Sequence, residues 1–132
     1  MSQENVEIVR SLYDTWNGSG GAVSMERVDP GIEVEMVGGM LNGSYRGHAG
    51  LSEALDSFWD YFDESHIDVE DCLAADDDVV VVAVRYVARG KTSGVEVDAR
   101  GGHVWTLRAG RVVRWQVFGT KQEALEAAGL RE

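Results

Sequence analysis

The sequence predicts an α+β domain in which helices cover one face of a curved antiparallel sheet. Three observations predict it. Two stretches carry apolar residues at helical spacing, one near the start and one in the middle of the chain. The second half instead alternates with period two. Short turns cut that half, and short turns pair neighbouring strands antiparallel. The 132 residues fit one domain, residues 1–132, that can bury enough surface to need no disulfide or metal.

Residues 3–17 read as the first helix, with Val6, Val9, Leu12, Tyr13 and Trp16 at helical spacing. Ser2 is placed to cap it, and Asn17-Gly18 stops it, with Gly20-Gly21 beyond. A short second helix is expected over residues 22–28, then a turn at Asp29-Pro30-Gly31. Ile32, Val34 and Met36 alternate with Glu33, Glu35 and Val37, which predicts a strand over 32–37. Gly38-Gly39 and Asn42-Gly43 mark a loop or hairpin. The third helix, 48–63, carries Leu51, Leu55, Phe58, Trp59 and Phe62 as its apolar stripe. Strands follow over 66–75, 79–90, 95–108 and 111–119, and Ile67, Val69 and Leu73 are expected on one face of the first of these. Val79–Val84 is apolar without alternation, as suits a central strand buried on both faces. Thr120-Lys121-Gln122-Glu123 is a capping box opening a last helix that Gly129 ends.

The net charge of −11 repels phosphate backbones and anionic lipid, so neither nucleic acid nor membrane is expected as a partner. The cluster of Asp68, Glu70, Asp71 and Asp76–Asp78 reads as a solvated hairpin. One cysteine, Cys72, excludes an internal disulfide. No apolar run approaches the ~20 residues of a membrane span, and a cytoplasmic location is the expectation. His48, His66 and His103 share no metal-ligand spacing. No nucleophile triad, phosphate-cradling loop or dinucleotide fingerprint is present, so neither metal nor cofactor is expected.

Four stretches, taken in order, carry a resemblance. They are Val9-Arg10-Ser11-Leu12-Tyr13-Asp14-Thr15-Trp16-Asn17, Asp29-Pro30-Gly31-Ile32-Glu33-Val34, Tyr45-Arg46-Gly47-His48-Ala49-Gly50-Leu51, and the run from His103 to Val113 closed by Glu123–Leu130. Together they resemble the SnoaL-like, nuclear transport factor 2-like family across nearly the whole chain. The resemblance implies a cone with an internal pocket between sheet and helices, and often a homodimer formed through the outer sheet face. Relatives include polyketide cyclases, ketosteroid isomerase, epoxide hydrolases and non-catalytic binding proteins, so fold does not assign a reaction.

Ketosteroid isomerase, which this chain resembles through the last hairpin, uses a carboxylate base, a tyrosine and a protonated aspartate. Glu35 falls near the base position. Leu12 falls at the tyrosine position with Tyr13 one step round the helix, and Gly102, just before His103, falls where the aspartate would be. Two of three roles are missing, so that isomerase is not expected. Glu35 is the candidate general base, since a carboxylate in an apolar cavity is harder to ionise; Glu33 and Glu35 also read as the wet side of a strand. Arg100 is the candidate partner of Glu35 or Asp98, or of a substrate oxygen. Its face carries Gly102, Val104 and Thr106; a register shift of one would instead turn His103, Trp105 and Leu107 to the pocket. Tyr86 offers a hydroxyl from the central strand. The expected lining is Leu12, Tyr13, Trp16, Phe58, Phe62, Val84, Val104, Trp105 and Phe118. The expected ligand is a small apolar molecule. The expected roles are a cofactor-independent isomerase, cyclase or hydrolase, or alternatively a non-catalytic binding module or dimerising interaction domain.

Overall fold

The computed structural model describes residues 2–19, 23–37 and 42–130. The cap expected from the Ser2 side chain, and the glycine pairs Gly20-Gly21 and Gly38-Gly39, lie outside what is described. Helix α1 spans Ser2–Ser19. The short second helix is only a 3₁₀ turn, Met25–Arg27. Strand β1 is Val28–Met36, β2 Gly43–Arg46, and helix α2 Gly47–Tyr61. Strands β3 (Phe62–Ala74), β4 (Val79–Gly90), β5 (Glu96–Arg108) and β6 (Arg111–Phe118) follow, then helix α3, Lys121–Ala127.

The six strands form one sheet in the order β2-β1-β6-β5-β4-β3. All neighbours are antiparallel except β1 and β6, which run parallel. The sheet is therefore mixed, a correction to the expected antiparallel sheet. Short turns dictate pairing only between strands they join; β1 and β6 meet after a crossover of most of the chain. Asp29-Pro30-Gly31 is no separate turn but part of β1, where the register against β6 shifts between Val28 and Glu33. A proline, which has no N–H to give, is tolerated at such an interruption. The Asn42-Gly43 signal resolves as a hairpin, with Met36 opposite Gly43.

Period two decides what faces inward. Ile32, Val34 and Met36 of β1, Val80, Val82 and Val84 of β4, and Trp105 and Leu107 of β5 pack with Val9, Leu12 and Tyr13 of α1 and Leu51 and Ala54 of α2. Strand β3 carries a register shift between Val69 and Asp71. The extra residue flips the alternation: Cys72 packs against this core, while Leu73, expected beside Ile67 and Val69, is exposed. The end of α1 is pinned to this edge strand by Asn17. Its Nδ2 donates to the Ile67 carbonyl at 2.7 Å, and the Ile67 N–H donates to its Oδ1 at 2.9 Å.

Helix α3 packs on the opposite, outer face, so the helices do not all share one side of the sheet. Val81, Val104, Phe118, Ala124 and Leu125 form a second, smaller core there. The Thr120 hydroxyl accepts from the Glu123 N–H at 3.1 Å, as the capping box requires. Helix α3 sits so close to β5 that a Cβ on Gly102 would lie 2.6 Å from Ala124 Cβ and 2.6 Å from the Thr120 carbonyl oxygen. Gly102→Ala is expected to destabilise the fold by about 1–3 kcal/mol through overpacking, measured as a lower urea midpoint; an unchanged midpoint would show that α3 yields freely. The rest of the outer face is charged, with Arg85 on Asp98 at 2.6 Å, Arg100 on Glu70 at 3.0 Å and Arg89 on Asp63 at 3.2 Å. Hydrogen bonding from Arg85 holds the Asp98 carboxyl below its ordinary range, but exposed pairs of this kind contribute little stability.

Candidate functional site

A cavity of about 410 Å³ lies between α1, α2 and the inner face of the sheet. Its wall is built by parity. Along α1, Leu12, Tyr13 and Trp16 fall on the face that packs on the sheet; along α2, Leu51, Ala54, Leu55 and Phe58 do the same. The sheet contributes Ile32 and Met36, Ile67, Val84 and Tyr86, then Ala99, Gly101, His103 and Trp105, and finally Trp115 and Val117. Val23, Val28, Phe118, Gly119, Ser65 and Arg100 complete the lining.

Of the residues expected from sequence, Leu12, Tyr13, Trp16, Phe58, Val84, Tyr86, Trp105 and Phe118 border the cavity. Phe62 is buried behind it, its ring 4.9 Å from that of Phe58. Val104 belongs to the outer core beneath α3, because residues of even number on β5 point away from the cavity. Glu35 is corrected for the same reason. Its neighbours Val34 and Met36 point in, so Glu35 points out, where both Nε and Nη2 of Arg114 donate to one of its carboxylate oxygens. Arg100 reaches only the rim: its side chain is 71% exposed and its Nε donates to Glu70. Glu35 and Arg100 therefore do not meet, and neither pairs with the other across a cavity. Glu35→Gln is expected to leave ligand affinity within about twofold and to cost at most about 1 kcal/mol of stability. Titration calorimetry checks this; a large loss of affinity would put Glu35 back in the site.

The polar centre of the wall is a cluster of Tyr13 and Trp105, both expected in the lining, with His103, which the sequence turns to the pocket only under the alternative register of β5. His103 is buried, and its Nδ1 lies 2.5 Å from the Tyr13 hydroxyl. The same hydroxyl oxygen accepts from Trp105 Nε1–H at 2.8 Å. Tyr13 is also stacked on His103 and edge-on to Trp105. Trp105 stacks on Trp115 with centroids 5.1 Å apart. Burial pushes the His103 pKa down to about 4 and raises that of Tyr13 well above its ordinary value. Both groups are thus neutral at pH 7. Tyr13 and His103 Nδ1 share one hydrogen, and the imidazole tautomer decides which of the two donates it. The indole of Trp105 can only donate, so the Tyr13 oxygen is the acceptor in that bond. Two indole donors of the wall, Trp16 Nε1 and Trp115 Nε1, are buried without a hydrogen-bond partner among the described residues.

What the wall lacks is equally defined. Among the described residues no aspartate or glutamate lines the cavity, and no three His, Cys, Asp or Glu side chains group to hold a metal. Burial also raises the Tyr86 pKa and lowers that of His103, so neither is a strong base near neutrality. Among the described residues no helix is long and apolar enough to cross a membrane.

The family model of the SnoaL-like domain matches residues 9–115. A search of curated proteins gave no match. Solved structures of the same fold include an NTF2-like protein of unknown function from Burkholderia pseudomallei, 17% identical over 93% of this chain and 95% of that one, with a TM-score of 0.76. A provisionally assigned SnoaL-like polyketide cyclase from a Jannaschia species is 23% identical over 96% and 91% of the two chains, with a TM-score of 0.73. TerC, co-crystallised with polyporic acid, is 21% identical over 96% and 98%, with a TM-score of 0.75. At these identities the likeness concerns the fold.

Proposed function

This chain belongs to the SnoaL-like domain family, and we propose that its cavity receives one small, largely apolar molecule and holds it without acid–base turnover. The observation that carries this reading is the composition of the wall. It is mostly aromatic and aliphatic, has one buried hydrogen-bonded cluster, and among the described residues offers no carboxylate. Its volume, about 410 Å³, falls in the range of small-molecule pockets, roughly 300–1,000 Å³. Proton abstraction needs a group that is unprotonated and basic at working pH. His103 does not meet that need, because burial pushes its pKa down to about 4 and its Nδ1 is engaged by the Tyr13 hydroxyl.

A second reading rests on the same cluster. A neutral donor fixed in a water-poor wall stabilises charge developing on a substrate oxygen, as an oxyanion site does. It would accelerate a cyclisation or isomerisation whose base belongs to the substrate. That a protein of this fold, TerC, was co-crystallised with polyporic acid supports an organic molecule as the kind of ligand in either case.

Thermal unfolding with a panel of aromatic hydrocarbons and ketones tests the proposal, with each ligand recovered and analysed afterwards. A ligand at a hundredfold excess over its Kd is expected to stabilise the protein by about 2.7 kcal/mol and to be recovered unchanged. Conversion of the ligand would favour the catalytic reading. No stabilisation by any member would sink occupancy itself.

A further inference from the structure

We infer that the molecule held in the cavity carries a neutral head with several hydroxyls, such as a sugar joined to its ring by an ether, and that this head lies in a second recess on the outer side of the sheet. The inference rests on the proposed occupancy of the cavity and names the class of its ligand. Three features carry it.

The first is that the two spaces meet. A recess of about 460 Å³ lies between the strands β3, β4 and β5 and the start of α3. Val84, Arg100, Gly101 and Gly119 border both this recess and the inner cavity. The ladder between β5 and β6 begins at the pair Gly102–Phe118. Gly101 and Gly119 stand one step past its end, and neither has a side chain to fill the gap. A Cβ on Gly101 would lie 3.1 Å from the Phe118 carbonyl oxygen and 3.9 Å from both the Tyr86 ring and a Val84 methyl. The bare backbone at this step is the neck between the two spaces.

The second is the contrast between the linings. The inner wall is mostly aromatic and aliphatic, whereas Glu70, Arg100, Thr120, Lys121 and Gln122 line the recess. An apolar body seats in the first space, and polar groups fix whatever enters the second. A molecule that spans the neck is therefore amphiphilic, with rings inside and a hydrogen-bonding head outside.

The third decides what kind of head. The charges of the recess already stand in pairs: Arg100 Nε donates to Glu70 at 3.0 Å, and Lys121 Nζ donates to Asp71 at 3.2 Å. An anionic head would compete with those carboxylates, and a cationic head with those cations. A hydroxyl forces no such exchange, because it donates and accepts at once. The remaining atoms suit it. Among the described residues the two terminal nitrogens of Arg100 and the second oxygen of Glu70 carry no hydrogen bond. Gln122 spends its Nε2 on Glu126 and keeps its carbonyl oxygen. Donors and acceptors thus lie side by side, and several hydroxyls on one ring match them where a single one does not.

The test uses three ethers of 2-naphthol that share the ring body and differ in the head: the methyl ether, the β-D-glucoside and the carboxymethyl ether. Equilibrium dialysis measures their affinities. In the wild-type protein the glucoside is expected to bind about tenfold more tightly than the methyl ether, a modest net gain because the recess is open to water. The carboxymethyl ether is expected within about threefold of the methyl ether. Glu70→Ala and Gln122→Ala alter residues that border only the recess. Each is expected to cut the advantage of the glucoside to about threefold or less, with the methyl ether unchanged. Glu70→Ala also releases Arg100, and the carboxymethyl ether is expected to gain about threefold or more there, the reverse of the glucoside. A glucoside no tighter than the methyl ether would overturn the inference and leave the apolar cavity standing. So would a wild-type preference for the carboxymethyl ether, or a glucoside advantage undiminished in both variants. Binding of none of the three would overturn the cavity reading, and this inference with it.

Discussion

Lowering the pH from 6.5 to 4 is expected to remove about 3 kcal/mol of stability through His103 alone. The imidazole titrates near 6.5 in the unfolded chain and at about 4 in the folded one, because burial penalises its charged form. Between these values the unfolded state holds a proton that the folded state does not. Stability must then rise with pH across the window. The contribution is complete above pH 6.5 and lost as the pH falls through 4. Every tenfold weakening of proton binding on folding corresponds to about 1.4 kcal/mol, so the full shift amounts to between about 3 and 4 kcal/mol, of which about 3 is gone by pH 4. The groups facing the ring are Tyr13, Trp105 and Trp115, none of them acidic, so nothing on the wall compensates the new charge. Urea denaturation at pH 7 and pH 4 measures the effect, with His103→Phe as the reference. Outer-face pairs such as Arg85–Asp98 also weaken in acid, but they do so in both proteins and cancel in the difference. Wild type is expected to lose about 3 kcal/mol more than the variant. Parallel losses would mean that His103 is not buried as a neutral group.

Trp105→Ala is expected to cost about 3–5 kcal/mol. Trp105 is 7% exposed, stacks on Trp115, and gives the Tyr13 oxygen its only indole donor. The substitution therefore empties a ring-sized space and unbalances the hydrogen-bond chain at once. Trp105→Phe separates the two effects. It keeps most of the ring and is expected to lose about 1 kcal/mol, the net worth of one neutral hydrogen bond. Urea midpoints at unchanged slope provide the measurement. A cost for Trp105→Ala no larger than that for Trp105→Phe would show that the wall closes in around the missing ring.

The order of elements is legible in the sequence because local signals specify it: the α1 and α2 stripes, the turn residues and the capping box at Thr120. The site is legible in part. Leu12, Tyr13, Trp16 and Phe58 follow from helical spacing, and Val84 from a run buried on both faces. The inward face of β5 is not, for a physical reason. Gly101 and Gly102 sit mid-strand and carry no side chain to mark a face, and beyond them both faces are apolar. His103, Trp105 and Leu107 pack inward while Val104 packs under α3. With alternation erased, nothing local keeps Arg100 and Val104 off the inner face. On β1 the alternation is intact, and Ile32, Val34 and Met36 already turn Glu35 outward; the likeness to the ketosteroid isomerase base position argues against that pattern, and the pattern holds. The parallel β1–β6 pairing and the flip of Cys72 past the β3 bulge depend on contacts between distant strands, which no local pattern encodes.

The most direct test of the central claim is a crystal structure of the protein with fluorenone bound. The account expects the ligand between α1, α2 and the inner face of the sheet, against the rings of Trp105 and Trp115. A ligand bound on the outer face, or a cavity closed by its own side chains while fluorenone binds elsewhere, would contradict it.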